Sequence, residues 1–541
     1  MDTRYIFVTG GVASSPGTEI VAASIARLLL AHGFGVDVVR CDPCINPDAA
    51  SLSTAERGEC YVTADGHETT LEMGHYERIA GLKASRANVI TTGSIFQSVI
   101  DHVQRGDYRG KTVLLTPHVT DEIKHRITSL AQGGKRDFVV CEMCGTVGDI
   151  DMLPFLEAAR QMRWELGDRC MTVHVTHVGQ KQATADPEAK PTLHSVNLLR
   201  QAGLWPDALV LRSQQGVSPG HRARMAAMAG VSPEAVIDCA HASTPYEVPM
   251  TLHAQRLDSL ILEYTHTPPR VAPDMERWAT VLAQMLDAQR ELKIGIVGRD
   301  ANARNAYRSV EEALRVACAA HGCKPRLARI DSERLNDATV EQALGGLDGI
   351  VVTQDEGQSG FEGCVSALKW CREHDVPTLA TGQGMQCMVV ELARNVLGLT
   401  EANSTQMEAQ TLYPVVDLME AQKTYAFTSI LRLGAYACHL QADTRVAQAY
   451  GRLDIEERHR HRYELNTDFR GSCEAAGMRC VGENPETRLI EAVEMTGKRW
   501  YVGTAFCPEL SSTVLNRHPL FLEFVATLAN GELGSWLMAN G

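Results

Sequence analysis

The run Leu379-Ala380-Thr381-Gly382-Gln383-Gly384-Met385-Gln386 carries an apolar strand into a glycine-rich turn and then into a helix from about Met385 to Asn395. A strand–turn–helix junction of this kind holds a nucleophile clear of its sheet, with the attacking atom exposed. Gly382 stands in the turn and has no side chain. A second junction lies near the N-terminus, where an apolar strand, Arg4–Thr9, leads through Gly10-Gly11-Val12-Ala13-Ser14-Ser15-Pro16-Gly17 into a helix at Thr18–Ala31. Such a loop binds phosphate through backbone N–H groups at the helix N-terminus, with a lysine reaching the phosphates. Here the loop is followed by Thr18 and Glu19.

Two Cys-x-x-Cys pairs, Cys41/Cys44 and Cys141/Cys144, each end a predicted strand. Four thiolates could hold zinc or an iron–sulfur cluster, or the pairs could be redox-active. The spacer between them is far longer than in a zinc ribbon, and buried cysteines acting as small apolar residues are the plainer reading.

These groups must be held by an α/β framework. Apolar strands at Val36–Cys41, Asp137–Met143, Met171–Val178 and Ala208–Arg212 alternate with helical patterns, as on a mostly parallel sheet. The first helix shows apolar Val21, Ile25, Leu28 and Leu29, and Gly33 marks its end. A proline-rich break, Thr265-His266-Thr267-Pro268-Pro269-Arg270-Val271-Ala272-Pro273, reads as linker. Further strands at Lys293–Gly298, Gly349–Thr353 and Thr378–Thr381 open a second α/β domain. The expected fold is two doubly wound, mostly parallel α/β domains, at 1–266 and 291–541, joined by a linker at 267–290.

Length agrees with more than one domain, because 541 residues exceed a single hydrophobic core. A net charge of −14 argues against nucleic acid or an anionic membrane as the main partner. No apolar run reaches the roughly 20 residues of a membrane span. The sixteen cysteines and the absence of a basic leader point to a reducing, cytoplasmic setting.

Long ordered runs resemble the CTP synthases. They are Tyr5–Ser15, Asp42-Pro43-Cys44-Ile45-Asn46, Gly74–Arg78, Gly145–Ile150, Lys190–Val196 and Arg458–Glu464. The resemblance implies a P-loop-type amidoligase domain followed by a class I glutamine amidotransferase domain. Family members phosphorylate UTP with ATP and Mg2+, then admit ammonia released from glutamine. They assemble as tetramers and often as filaments.

Carried onto this chain, the family pattern places Ser14, Ser15, Gly17, Thr18, Arg40, Asp42, Asp149, Asp151, Lys190 and Arg224 at nucleotides. The pattern has lysine at Thr18, glycine at Glu19, lysine at Arg40, lysine at Glu188 and glutamine at Leu193. A Lys-Asp pair near adenine becomes Ala240-His241. The changes at Thr18, Glu19 and Glu188 shift local charge by about −4, which weakens attraction for phosphates. Glu72, where aspartate is usual, and Glu142 form the candidate Mg2+ pair; two ordinary strand-end carboxylates are the alternative. ATP and Mg2+ are thus the implied cofactors, with Thr18 and Glu19 opposing ATP.

In the amidotransferase pattern the nucleophilic cysteine falls at Gly382 and the histidine at Cys507, while Glu509 is retained. Asp355 and Glu356 enter the oxyanion segment, and Arg57 and Cys60 replace a histidine and a valine at the ammonia channel. The expectation is a catalytically degenerate paralogue with a binding, regulatory or co-assembly role. Its partners would be copies of itself in a tetramer or filament, an active CTP synthase, or a nucleotide. The alternative is an amidoligase that takes ammonia or another amine without glutamine.

Overall fold

The protein is described by a computed structural model covering residues 3–11, 17–49, 52–132, 136–178, 189–240, 242–354, 357–418 and 431–530. The chain forms two compact units, one of Met1–Ser51 with Glu72–Leu282, the other of Leu52–Leu71 with Ala283–Gly541.

In the first unit seven strands form one sheet in the spatial order Val89–Thr91, Val36–Asp42, Phe138–Thr146, Arg4–Gly10, Cys170–His177, Ala208–Ser213, Val236–Ala240. Every ladder is parallel. Parallel strands are covered on both faces, which accounts for the unbroken burial of Ile6, Phe7 and Val8. The helix Thr18–Ala31 buries Val21, Ala22, Ile25, Leu28 and Leu29 against this unit. Strand order reverses at Arg4–Gly10, so Gly10, Asp42 and Thr146 end beside a crevice at the carboxyl edge, where open α/β sheets place ligands.

The second unit carries nine strands. Cys323–Asp331, Arg290–Gly298, Gly349–Gln354, Thr378–Gly382 and Tyr501–Thr504 run parallel. The sheet continues antiparallel through Ile490–Met495, Met478–Glu483, Arg432–Leu440 and Asp454–His461, an extension that alternation of strand and helix did not announce. Side chains alternate between two cores. Val352 and Ala380 enter one, while Val351 and Leu379, their chain neighbours, enter the other. Both domains are therefore α/β, with helices over their sheets.

Residues 52–71, expected within the first domain, pack with the second unit. They form a helical turn, Thr54–Arg57, and an antiparallel pair, Tyr61–Val62 with Glu68–Thr69. Glu59 accepts from Ser309 N at 2.7 Å and Ser309 Oγ at 2.5 Å. Arg458 Nη1 donates to Tyr61 Oη at 3.1 Å and to the Val62 carbonyl at 3.2 Å. The stretch expected as linker holds a helix, Glu276–Asp287, whose buried Trp278 donates to the Tyr246 carbonyl at 2.9 Å. Among the described residues no helix is long and apolar enough to cross a membrane.

Candidate functional site

In the first unit the site grows from the register of two parallel strands. Arg40 and Glu142 are ladder partners, so their side chains leave the same face side by side. Arg40 Nη1 lies 3.3 Å from Glu142 Oε2. Its Nη2 lies 3.7 Å from Glu72 Oε2 and 3.3 Å from Asp42 Oδ2, and donates to Cys144 Sγ at 2.9 Å. Thr18, the first residue of its helix, donates to Glu142 Oε1 at 2.8 Å. The Tyr76 hydroxyl donates to Glu142 Oε2. Glu19, in the same first helical turn, is pushed up to about 7 by burial, with Glu142 and Glu72 adding to the effect and Arg40 opposing it.

Thr18, Arg40, Asp42, Glu72 and Glu142 thus come together in one cluster. Tyr76, from the Gly74–Arg78 run, and Cys144, from the second Cys-x-x-Cys pair, complete the cluster. Asp149, Asp151, Lys190 and Arg224 are all exposed and, among the described residues, form no ion pair with the cluster. Ser14 and Ser15 lie outside the described residues, as do Glu188 and His241. Gly17 follows the loop at φ +80°, and a Cβ there would stand 3.7 Å from Arg212 Nε.

In the same sheet, Thr9 and His174 are also ladder partners. Thr9 Oγ1 lies 2.8 Å from His174 Nδ1, and Ser195 Oγ lies 2.5 Å from His174 Nε2. Burial holds His174 down at about 4. Ser195 comes so close that a Cβ on Gly11 would fall 2.4 Å from its hydroxyl oxygen, so only glycine fits there. This hydroxyl–imidazole–hydroxyl chain escaped sequence reading because its members are far apart in the chain.

Among the described residues no group of three or more His, Cys, Asp or Glu side chains is placed to hold a metal ion. Burial pushes the Cys41, Cys141 and Cys144 thiols up, the reverse of what a thiolate ligand or redox pair requires.

The same observation tests Glu72 and Glu142 as Mg2+ ligands. Mg2+ demands oxygen ligands at about 2.0–2.1 Å in near-octahedral array. Both oxygens of Glu142 already face donors, and a guanidinium lies against Glu72. The residues present do not fit the ion.

In the second unit the turn forms as the sequence suggests. The strand Thr378–Gly382 is wholly buried, Gly382 adopts φ +56° and ψ −122°, and the helix Gln383–Asn395 begins at once. This is sparsely populated backbone, which glycine tolerates best. A Cβ on Gly382 would meet nothing within 4 Å. Gly382 borders a cavity of about 60 Å3, lined by Cys60, Asp300, Thr353, Arg460, Cys507 and Glu509 among others.

Thr353 and Thr381, ladder partners, are bonded at 2.9 Å on its floor. Cys507 N donates to the Arg458 carbonyl at 2.8 Å, and Glu509 is buried. Arg460 Nε pairs with Glu68 Oε1 at 2.9 Å. Cys387, one turn into the helix, is fully buried and its thiol is pushed up by burial. Arg57 donates Nε to the Leu52 carbonyl at 2.8 Å and borders a larger cleft with Arg299, Arg460 and Arg462. Asp355 and Glu356 lie outside the described residues.

The sequence matches two family descriptions, CTP synthase N-terminus over residues 4–266 and glutamine amidotransferase class-I over residues 302–527. A CTP synthase of Porphyromonas gingivalis is 46% identical over 97% of this chain and 97% of its own. A CTP synthase of Bacteroides thetaiotaomicron is 46% identical over 98% of this chain and 99% of its own. Among solved structures, a Trypanosoma brucei CTPS glutaminase domain with bound acivicin is 29% identical, covering 45% of this chain and 96% of its own, at a TM-score of 0.43.

Proposed function

The chain belongs to the CTP synthase family, and from that premise we propose that it is a homologue without glutaminase chemistry. It would be a catalytically degenerate paralogue that acts by binding, regulating or co-assembling with an active CTP synthase. The observation that carries this reading is the open space at Gly382, where the amidotransferase turn presents no attacking atom. A thiol nucleophile, a histidine base and an orienting carboxylate act as a unit. Here only Glu509 of the three remains, beside Gly382 and Cys507. The setting is cytoplasmic and the assembly a tetramer or filament of like chains, by analogy with the family.

Homology of the ligase domain implies a capacity to bind nucleotide such as ATP. A second reading therefore keeps ligase activity, with ammonia or another amine supplied from solution and UTP or a different acceptor as substrate. The retained cations Arg40, Lys190 and Arg224 favour it. Thr18 and Glu19 at the phosphate loop weigh against it.

Two assays on the purified chain separate the readings. Glutamine hydrolysis is expected to be absent, and CTP formation from UTP, ATP and Mg2+ is expected to be absent with glutamine or with ammonium. CTP formed from ammonium alone would select the second reading. Glutamate release at the rate of an active family member would refute both.

A further inference from the structure

We propose that Arg40 is the resident cation of the ligase-type unit, standing where a divalent metal would bridge Glu72 and Glu142, so that this unit takes phosphate-bearing ligands without metal. The inference goes beyond the proposed function and does not depend on it. Its foundation is the ladder register, which sets Arg40 and Glu142 side by side on adjacent parallel strands.

The guanidinium is planar, permanently charged and forked. One terminal nitrogen reaches Glu142 Oε2 at 3.3 Å, the other Glu72 Oε2 at 3.7 Å and Asp42 Oδ2 at 3.3 Å. Arg40 is only 6% exposed, and its contact with Cys144 Sγ at 2.9 Å fixes it from a further side. Glu142, 1% exposed, takes Thr18 on Oε1 and Tyr76 with Arg40 on Oε2.

A divalent ion can reach Glu142 only by displacing one of these donors. It would then sit beside a guanidinium with little water between them, where like charges repel strongly. A lysine at position 40 would behave differently, because its ammonium is a compact point charge without the rigid fork of a guanidinium. Arg40 bonds Asp42 and Glu142 directly and lies 3.7 Å from Glu72, so an ion at Glu142 would have to take the place of this guanidinium.

The test is a Mn2+ titration of the full chain, followed by the electron paramagnetic resonance signal of the aqueous ion, without nucleotide. The wild-type chain should bind no Mn2+ in the micromolar range that Glu142→Gln abolishes. Arg40→Lys, which keeps a positive charge for folding, should bind one Mn2+ at least tenfold more tightly, and Arg40→Met should do the same if it folds. Calorimetry with ADP should give the same affinity, within twofold, in excess EDTA and in excess Mg2+. ADP binding under neither condition would overturn the claim that the unit takes phosphate-bearing ligands, and the Mn2+ arm would then decide only whether Arg40 excludes the metal.

Stoichiometric Mn2+ binding by the wild-type chain that is lost in Glu142→Gln would overturn the proposal. So would failure of both Arg40 variants to gain the ion, or a more than tenfold rise in ADP affinity on adding Mg2+. Mn2+ binding indifferent to Glu142→Gln lies elsewhere on this acidic chain and leaves the proposal standing.

Discussion

Thr18 donates its hydroxyl proton to Glu142 across 2.8 Å, joining the first residue of its helix to a buried carboxylate in the middle of the strand Phe138–Thr146. The bond turns that helix start toward an anion. A hydrogen bond to a charged group contributes about 1.5–3 kcal/mol. Thr18→Val should therefore lower stability by roughly that amount, read as a shift in the denaturant midpoint. Thr18→Lys combined with Glu19→Gly should raise ADP affinity at least about tenfold, the equivalent of ~1.4 kcal/mol. Unchanged affinity in the double variant would refute the electrostatic account of the loop.

Gly382 has room for a side chain but an unfavourable backbone for one. Gly382→Cys should fold with a loss of about 1–3 kcal/mol, the usual cost of such a conformation. It should release no glutamate from glutamine, because Cys507 supplies no base. Adding Cys507→His should be required before any hydrolysis appears. Turnover by Gly382→Cys alone would show that another group in the cavity accepts the thiol proton.

His174 offers a pH test with a defined sign. Its folded value of about 4 lies below the ordinary 6.5, because burial disfavours the charged ring. Between those values the unfolded chain binds the extra proton, so stability is full above about pH 6.5 and falls as pH drops toward 4. The shift is worth roughly 3 kcal/mol. His174→Gln should flatten this acid limb in urea melts from pH 7 to pH 4. An unchanged limb would place the acid sensitivity elsewhere.

Arg432 anchors the antiparallel part of the second sheet. It pairs with Glu464 at 3.0 Å and Glu491 at 2.9 Å, both carboxylates buried. Burial pushes Glu491 up to about 7, Glu464 adding to this and Arg432 opposing it. Removing one partner of a buried ion pair typically costs about 3–5 kcal/mol. Arg432→Met should show such a loss at pH 8 and a smaller one at pH 5, where the abandoned Glu491 carboxyl takes up a proton. An equal loss at both values would mean that packing, not charge, sets the cost.

The local elements were legible because local signals carry them. The helix Thr18–Ala31 follows from apolar spacing between Gly17 and Gly33, and the turn at Gly382 from glycines between an apolar strand and an apolar helix face. Candidate residues Thr18, Arg40, Asp42, Glu72 and Glu142 were legible through family resemblance, but their mutual geometry was not. Whether a carboxylate meets an ion or an arginine depends on strand register, and the contribution of Tyr76 on a chain turn well outside the sheet. The antiparallel strands were harder still, since β-pairing is decided by partners distant in sequence.

The grouping of residues 52–71 with 283–541 makes the second unit discontinuous in the chain. On a ribosome, Glu59 is synthesised long before Ser309, its bonding partner 250 positions later. That early segment must wait for its sheet, and closing so long a loop makes the pairing a late event in assembly. Domains generally fold as units in order of synthesis, and this architecture breaks that order. A fragment beginning at Ala283 would emerge without the strand that meets Arg458, opening to water a guanidinium that the intact unit buries.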